Sequence, residues 1–150
     1  MKYQAYLFVH FIGEGENGEQ IYFSVSRDGL HWKDLNNGKP VIVSQVGEKG
    51  LRDPFILRNR LDGKFYIIAT DLCIHAGKGW GTAQYEGSRN LMVMSSENLT
   101  DWSSPEAVEL AIPQAGCLWA PEAVYDEKTG DYLTYWASMV KCEGEEAVSY

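Results

Sequence analysis

The stretch that decides the fold is PFILRNRLDGKFYIIAT at residues 54–70, because a similar stretch, PEAVYDEKTGDYLTYWA, occupies residues 121–137. Pro54 aligns with Pro121, and the two copies are 67 residues apart. Each copy consists of an apolar run, a polar turn that contains glycine, and a second apolar run. This pattern predicts a β-hairpin that occurs twice in the chain.

A second unit also recurs, in the same order relative to the first. YFSVSRDGLHW at 22–32 and LMVMSSENLTDW at 91–102 each place a tryptophan six residues after a serine. YLFVHF at 6–11 is similar to the second half of the hairpin, and EGEEAVSY at 143–150 is similar to NGEQIYFS at 17–24. With the strands of one unit named A to D, the chain is predicted to run B-C-D, A-B-C-D, A-B and the start of C.

A repeat of about 65 residues with four strands predicts an all-β fold, a β-propeller built of four-stranded blades. Strands that are apolar on both faces agree with this, because each blade packs between two neighbours. The predicted division is strands B to D of one blade in residues 1–50, a complete blade in 51–115, and the first strands of the next blade in 116–150. The alternative is a β-sandwich with two similar hairpins.

This division gives about two and a quarter blades, whereas a propeller needs about four to close. We therefore expect either a truncated piece of a longer chain or copies that associate to complete the ring. Unpaired strand edges favour a homo-oligomer in either case.

Composition excludes several classes of partner. The 150 residues carry a net charge of −8, so neither nucleic acid nor an anionic membrane is an expected partner, since both require clustered Lys and Arg. A neutral sugar is unaffected by this charge. The three cysteines form no CxxC pair, and we predict buried free thiols and no metal site.

The N-terminal sequence MKYQAYLFVHF is apolar but is interrupted by Gln4 and His10 and lacks a small-residue cleavage site. No stretch is long enough to cross a bilayer. The localisation is unknown from the sequence, and the missing signal-peptide pattern favours the cytoplasm.

Arg52-Asp53-Pro54 places a carboxylate at the head of a predicted A strand, the innermost strand of a blade. Proline is tolerated at the first residue of a strand and restricts the residue before it, so we expect Asp53 to be extended. A carboxylate on a rigid strand at the mouth of the channel is well placed to act as a catalytic base.

RDPFI at 52–56, SSENLTDW at 95–102 and GCLWAPEAVYDEKTGDYLTYWAS at 116–138 resemble family 43 of the glycoside hydrolases, and the resemblance covers nearly the whole chain. Members are five-bladed propellers that act on arabinose- and xylose-containing plant polysaccharides. The resemblance implies an inverting glycosidase that cleaves arabinofuranosyl or xylosyl linkages, with Asp53 as general base and Trp119 lining the sugar pocket. Glu122 stands where the family more often has aspartate, and it is interpreted as a substrate contact or a structural carboxylate.

Two further carboxylates of the family have no counterpart in these residues. One is an aspartate that adjusts the pKa of the general acid, and the other is the glutamate that acts as the general acid. The resemblance therefore implies that the general acid comes from outside this segment or from a partner subunit, and that an isolated monomer is inactive. One alternative is a catalytically inactive sugar-binding or scaffold propeller fragment. A sialidase-like propeller would need an arginine cluster, and the arginines are too scattered in sequence to judge.

Residues 71–90 form the longest insertion between predicted strands, and they contain further candidates for substrate binding. Trp80 can stack on a sugar ring, and His75 can hydrogen-bond sugar hydroxyls. The alternative is a surface loop that is packed by its own aromatic side chains. Asp71 either lies at the channel rim or caps the turn of this loop. GKGWG lacks the spacing of a phosphate-binding loop. No cofactor is expected to be required. A structural calcium ion in the channel is left open.

Overall fold

A computed structural model of the chain describes residues 4–140 and 148–149. Short antiparallel strands form successive sheets, and the fold is all-β, as the alternating apolar runs predict. The predictions for Cys142 and Tyr150 lie outside the described residues. The strands are labelled in chain order below.

The first sheet contains three strands in the order β1-β2-β3. These are β1 (Tyr6–His10), β2 (Tyr22–Ser26) and β3 (Lys33–Asp34). A short 3-10 helix follows at Asn36–Gly38. The two long strands are a hairpin in which His10 lies opposite Tyr22.

The second sheet contains four strands in the order β4-β5-β6-β7. The strands are β4 (Arg52–Arg58), β5 (Phe65–Thr70), β6 (Asn90–Ser96) and β7 (Glu106–Glu109). Consecutive strands are neighbours throughout, which is the arrangement of a propeller blade. A seven-residue helix, α1 (Trp80–Glu86), lies in the long connection between β5 and β6. The sequence did not predict this helix.

The third sheet pairs β8 (Trp119–Asp126) with β9 (Asp131–Ala137). Two further short strands, β10 (Met139–Val140) and β11 (Val148–Ser149), pair with each other. β4–β5 and β8–β9 are the two copies of the hairpin that the repeat predicts. Both copies have a register irregularity at the start of the first strand.

The core consists of two apolar clusters, one on each side of the second sheet. Ile67 of β5 belongs to a cluster with Val9 and Phe23 of the first sheet, whereas the adjacent Ile68 packs with Leu118 and Ala123 on the side of the third sheet. Successive residues of a strand point to opposite faces, so both faces of this sheet are buried. Each fully buried aliphatic side chain contributes about 1.5–3 kcal/mol. This explains why FYIIAT is apolar without alternation.

Three sheets packed in succession form part of a propeller, and the sandwich alternative, which needs two facing layers, is wrong. The boundaries 1–50, 51–115 and 116–150 stay a prediction, because sheet limits do not by themselves define the limits of a folding unit. Within the described residues, no helix has the length and apolar character needed to cross a membrane.

Candidate functional site

The first residues of β4 and β8 lie at the same end of their sheets as the last residues of β5 and β9. Arg52 is opposite Thr70, and Trp119 is opposite Ala137. The predicted base and the predicted pocket tryptophan therefore begin equivalent strands of two sheets that pack against each other. The connections that follow β5 and precede β8 lie at this same end.

Asp53 adopts a left-handed backbone conformation with φ of 47°. The expectation that Pro54 would hold it extended is wrong, because the strand bulges between Arg52 and Phe55. A left-handed conformation costs an L-residue about 1–2 kcal/mol, and such strain is concentrated at functional sites. The bulge turns the half-buried carboxylate so that its Oδ2 accepts a hydrogen bond from the Thr70 hydroxyl at 3.2 Å.

The same backbone conformation recurs in the next sheet. Ala120 also has φ of 47°, it also precedes a proline, and β8 bulges between Trp119 and Glu122. Thr70 connects the two bulges, because its Oγ1 also accepts a hydrogen bond from the Ala120 amide at 2.8 Å. The repeat thus includes two strained residues and a side chain that bridges them.

Trp80 and Trp119 form an aromatic corner near the start of β8. Their ring centroids are 5.8 Å apart and their planes are at 88°, so one ring meets the face of the other edge-on. Trp80 is the first residue of α1 and follows Gly79, whose φ of 77° turns the chain into the helix. Trp80 remains 41% exposed. Two rings at right angles can contact a sugar from two sides.

Arg52 supports this corner from inside the protein. Its guanidinium carbon lies 4.8 Å from the centroid of the Phe11 ring and 4.7 Å from that of Trp80. Its Nη1 donates to Glu19 Oε1 at 2.8 Å and lies 3.6 Å from Glu14 Oε1. Arg52 therefore occupies a buried site between two aromatic rings, with its charge balanced by carboxylates.

Glu19 fixes the start of the long connection after β5. It is almost fully buried, and its carboxylate accepts hydrogen bonds from the amides of Ile74 and His75, each at 2.8 Å. Burial raises the pKa of Glu19, but these two amides, together with Arg52, outweigh burial and hold the pKa below its ordinary value. The charged carboxylate thereby ties the segment that leads to Trp80 to the first two sheets.

Asp71, predicted for the channel rim or for capping the loop, is 1% exposed. Its Oδ1 accepts from the Glu48 amide at 2.7 Å and its Oδ2 from the Ser88 hydroxyl at 2.6 Å. Gly47 packs so closely that an added Cβ would lie 2.2 Å from Oδ2. These contacts agree with the loop-capping alternative and leave little room for a substrate.

His75, the other candidate in this loop, is exposed and is held through its backbone amide. Glu122 is also exposed, and it accepts a hydrogen bond from the Tyr135 hydroxyl at 2.6 Å. This bond raises the pKa of Tyr135. The neighbouring Ala123 packs on the second sheet, so Glu122 lies on the opposite face of β8, which the described residues leave uncovered.

The structure therefore brings Asp53 and Trp119 to the same end of adjacent sheets, with Trp80 beside Trp119, whereas Glu122 and Asp71 have hydrogen-bond partners elsewhere. Sequence reasoning missed Thr70, Arg52 and Glu19 as parts of this site. Arg52 could have been found by its position beside Asp53, but the sequence gives no signal that pairs Glu19 with it. Among the described residues, no group of three or more His, Cys, Asp or Glu side chains is placed to hold a metal ion.

Comparison with known families and proteins is consistent with this geometry. The glycoside hydrolase 43-related family model, described as "Probable glycosyl hydrolase domain", matches residues 1–149. An alpha-L-arabinofuranosidase of Bifidobacterium longum subsp. longum is 32% identical over 143 residues, which is 91% of this chain and 13% of that protein. The chain thus spans a small part of the length of this relative.

Two solved structures have a similar fold. The GH43 protein BlXynB of Bacillus licheniformis matches 99% of this chain and 29% of its own, with a TM-score of 0.58 and 19% identity. A GH43 β-1,3-galactosidase matches 93% of this chain and 30% of its own, with a TM-score of 0.59 and 11% identity. At these identities the likeness concerns the fold.

Proposed function

The chain belongs to the glycoside hydrolase 43-related family, and on that premise we propose that it carries the general base and part of the sugar pocket of an inverting glycosidase. Asp53 activates a water molecule that attacks the anomeric carbon. Trp119 and Trp80 form two walls of the pocket. The linkage cleaved is arabinofuranosyl or xylosyl, in a plant polysaccharide or an oligosaccharide derived from it.

The observation that carries this proposal is the environment of Asp53. Its carboxylate stands on a strained bulge at the start of β4, is held by Thr70, and lies at the same end of the fold as the tryptophan corner. A base must be oriented before it can take a proton from water, and a rigid strand with a buried hydrogen-bond partner provides that orientation.

The substrate class is supported by the site and by a relative. Aromatic walls suit the apolar faces of a sugar ring, and a net charge of −8 does not oppose an uncharged ligand. The curated relative is named an alpha-L-arabinofuranosidase. An arabinofuranosyl substrate is therefore the first to test, and a xylosyl substrate the second.

The general acid is proposed to come from outside this segment or from a partner subunit. Inverting glycosidases need two carboxyl groups roughly 6.5–9.5 Å apart, one to activate water and one to protonate the leaving oxygen. Glu122 lies on the opposite face of β8 from the packed interior and is bonded to Tyr135. The uncovered face of β8 and β9 suits a homo-oligomer that completes the ring, and an isolated monomer is expected to be inactive on natural linkages.

The test uses the intact protein and 4-nitrophenyl α-L-arabinofuranoside and β-D-xyloside. A nitrophenolate leaves without protonation, so these substrates report on the base even where the acid is missing. Asp53→Asn should lower kcat by about 10²–10⁴-fold, the usual contribution of general base catalysis. Glu122→Gln is the matched control and should retain activity. Activity that survives Asp53→Asn rules out Asp53 as the base.

The second candidate is a sugar-binding or scaffold protein without catalysis. The observation in its favour is that Asp71 and Glu122, the other carboxylates predicted for the site, are both hydrogen-bonded within the protein. It predicts that arabino-oligosaccharides quench tryptophan fluorescence equally in the wild type and in Asp53→Asn, with no hydrolysis by either protein at any concentration.

A further inference from the structure

We propose that Thr70 is a positioning residue that aims the carboxylate of Asp53 and fixes it to the first strand of the neighbouring sheet. This inference rests on the proposed function of Asp53 as the base. Thr70 is the last residue of β5 and is 0% exposed. It therefore acts on water or sugar only through the groups that it touches.

The direction of both hydrogen bonds follows from the chemistry of the partners. A backbone amide can only donate, so the Ala120 amide donates to Thr70 Oγ1 at 2.8 Å. A carboxylate can only accept, so the single hydroxyl proton of Thr70 goes to Asp53 Oδ2 at 3.2 Å. The second bond is longer than usual, and such bonds often tighten once a substrate is bound.

The threonine side chain is suited to hold this geometry. Its branched Cβ restricts rotation about χ1, and the packed strand end leaves the hydroxyl little freedom. One lone pair of Oγ1 is engaged by the Ala120 amide, which orients the hydroxyl toward Asp53. The carboxylate is thereby anchored to β8, whose first residue, Trp119, is a proposed pocket wall.

The repeat indicates that a hydroxyl at the end of the paired strand of the same hairpin is not needed to form the bulge. In the third sheet, the residues equivalent to Asp53 and Thr70 are Ala120 and Ala137, each 67 positions later. Ala120 nevertheless has the same φ of 47°. A hairpin with alanine at both positions therefore forms the same bulge, with the Ala120 amide bonded to Thr70 of the neighbouring sheet. A side-chain hydrogen bond across the two strands of the hairpin is thus not required for the bulge, and the bond between Thr70 and Asp53 serves to orient the carboxylate.

The test compares Thr70→Val, which removes the hydroxyl at nearly constant volume, with Thr70→Ser, which keeps it. Both are made in the intact protein and assayed on the aryl glycoside that the wild type cleaves. We expect Thr70→Val to lower kcat on the order of 10- to 100-fold, since small misplacements of a reacting group cost up to about 10²-fold. KM should change by less than about twofold, and Thr70→Ser should restore most of kcat.

A double-mutant cycle separates positioning from a general structural role. If Thr70 acts through the carboxylate, Thr70→Val should change the residual kcat of Asp53→Asn by less than about twofold. Thr134→Val, on β9, is the matched control and should leave kcat unchanged. If Thr70→Val fails to fold, Thr70→Ser and Thr70→Ala provide the same comparison without added apolar bulk.

The proposal would be overturned if Thr70→Val had the kcat of the wild type. It would also be overturned if the loss of kcat in the double mutant equalled the product of the losses in Thr70→Val and Asp53→Asn. Full activity in Asp53→Asn would instead overturn the proposed function. Hydrogen exchange at the Ala120 amide gives a readout that needs no activity. Thr70→Val should accelerate this exchange and Thr70→Ser should not, and equal exchange in both would mean that the bridge does not exist.

Discussion

The guanidinium carbon of Arg52 lies 4.7 Å from the centroid of the Trp80 ring, so the residue next to the proposed base also supports a proposed wall of the sugar pocket. Base and wall are 27 positions apart in sequence and belong to a strand and a helix, respectively. Their common support means that a change at Arg52 should affect sugar binding without direct contact with the sugar.

Replacing Arg52 by lysine keeps the charge but loses the flat guanidinium that lies between Phe11 and Trp80. We expect sugar affinity to fall about five- to tenfold, the scale of one cation–π contact, as measured by tryptophan fluorescence titration. Arg58→Lys is the matched control, because Arg58 lies on the same strand over the Phe65 ring. Equal effects of the two changes would contradict the role given to Arg52.

Glu19 should make stability depend on pH. Its pKa is lowered in the folded state, so its contribution is present above the ordinary value of about 4.5 and is lost as the pH falls below it. Glu19→Gln leaves Arg52 without its buried partner and should cost about 3 kcal/mol near neutral pH. Urea titrations from pH 7 to pH 3 should show the difference between the two proteins shrinking in acid. A constant difference would mean that Glu19 is not the titrating group.

Gly47 should be sensitive to a single methyl group. Both Gly47 and Gly63 have a left-handed backbone, with φ of 62° and 76°. Alanine at Gly63 meets nothing within 4 Å, whereas alanine at Gly47 collides with the carboxylate of Asp71. We expect Gly63→Ala to cost about 1 kcal/mol and Gly47→Ala at least about 2 kcal/mol more by thermal unfolding. Equal costs would show that Asp71 can move aside freely.

Truncation of a buried side chain on β5 should lower the free energy of unfolding more than truncation of an exposed side chain on β9. Ile67 is fully buried between the first two sheets, and Ile67→Ala should cost about 2–5 kcal/mol. Leu133 is 61% exposed on the uncovered face of β9, and Leu133→Ala should stay within about 0.5 kcal/mol. A large cost at Leu133 in the intact protein would show that another sheet covers this face, and sedimentation would tell whether a second copy supplies it.

The periodic features of this chain could be read from the sequence because they depend on local chemistry. Apolar runs, glycine-containing turns and the 67-residue offset predict the hairpins. β5 is apolar on both faces, so it requires a packed neighbour on each face. The place of Asp53 and Trp119 at the start of equivalent strands follows from the alignment of the two repeat copies. None of this required knowledge of long-range contacts.

Other features were decided by tertiary structure, because they join residues that lie far apart in the chain. Glu19 and Arg52 are paired across 33 positions, and Thr70 and Ala120 across 50, and no local pattern encodes such a pairing. For Asp53, the sequence determined one feature and the tertiary structure another. The sequence determined that a carboxylate stands near the start of a strand, before a proline. The left-handed bulge that brings this carboxylate to the Thr70 hydroxyl was decided by tertiary structure, because Thr70 lies 17 positions away at the end of the paired strand β5.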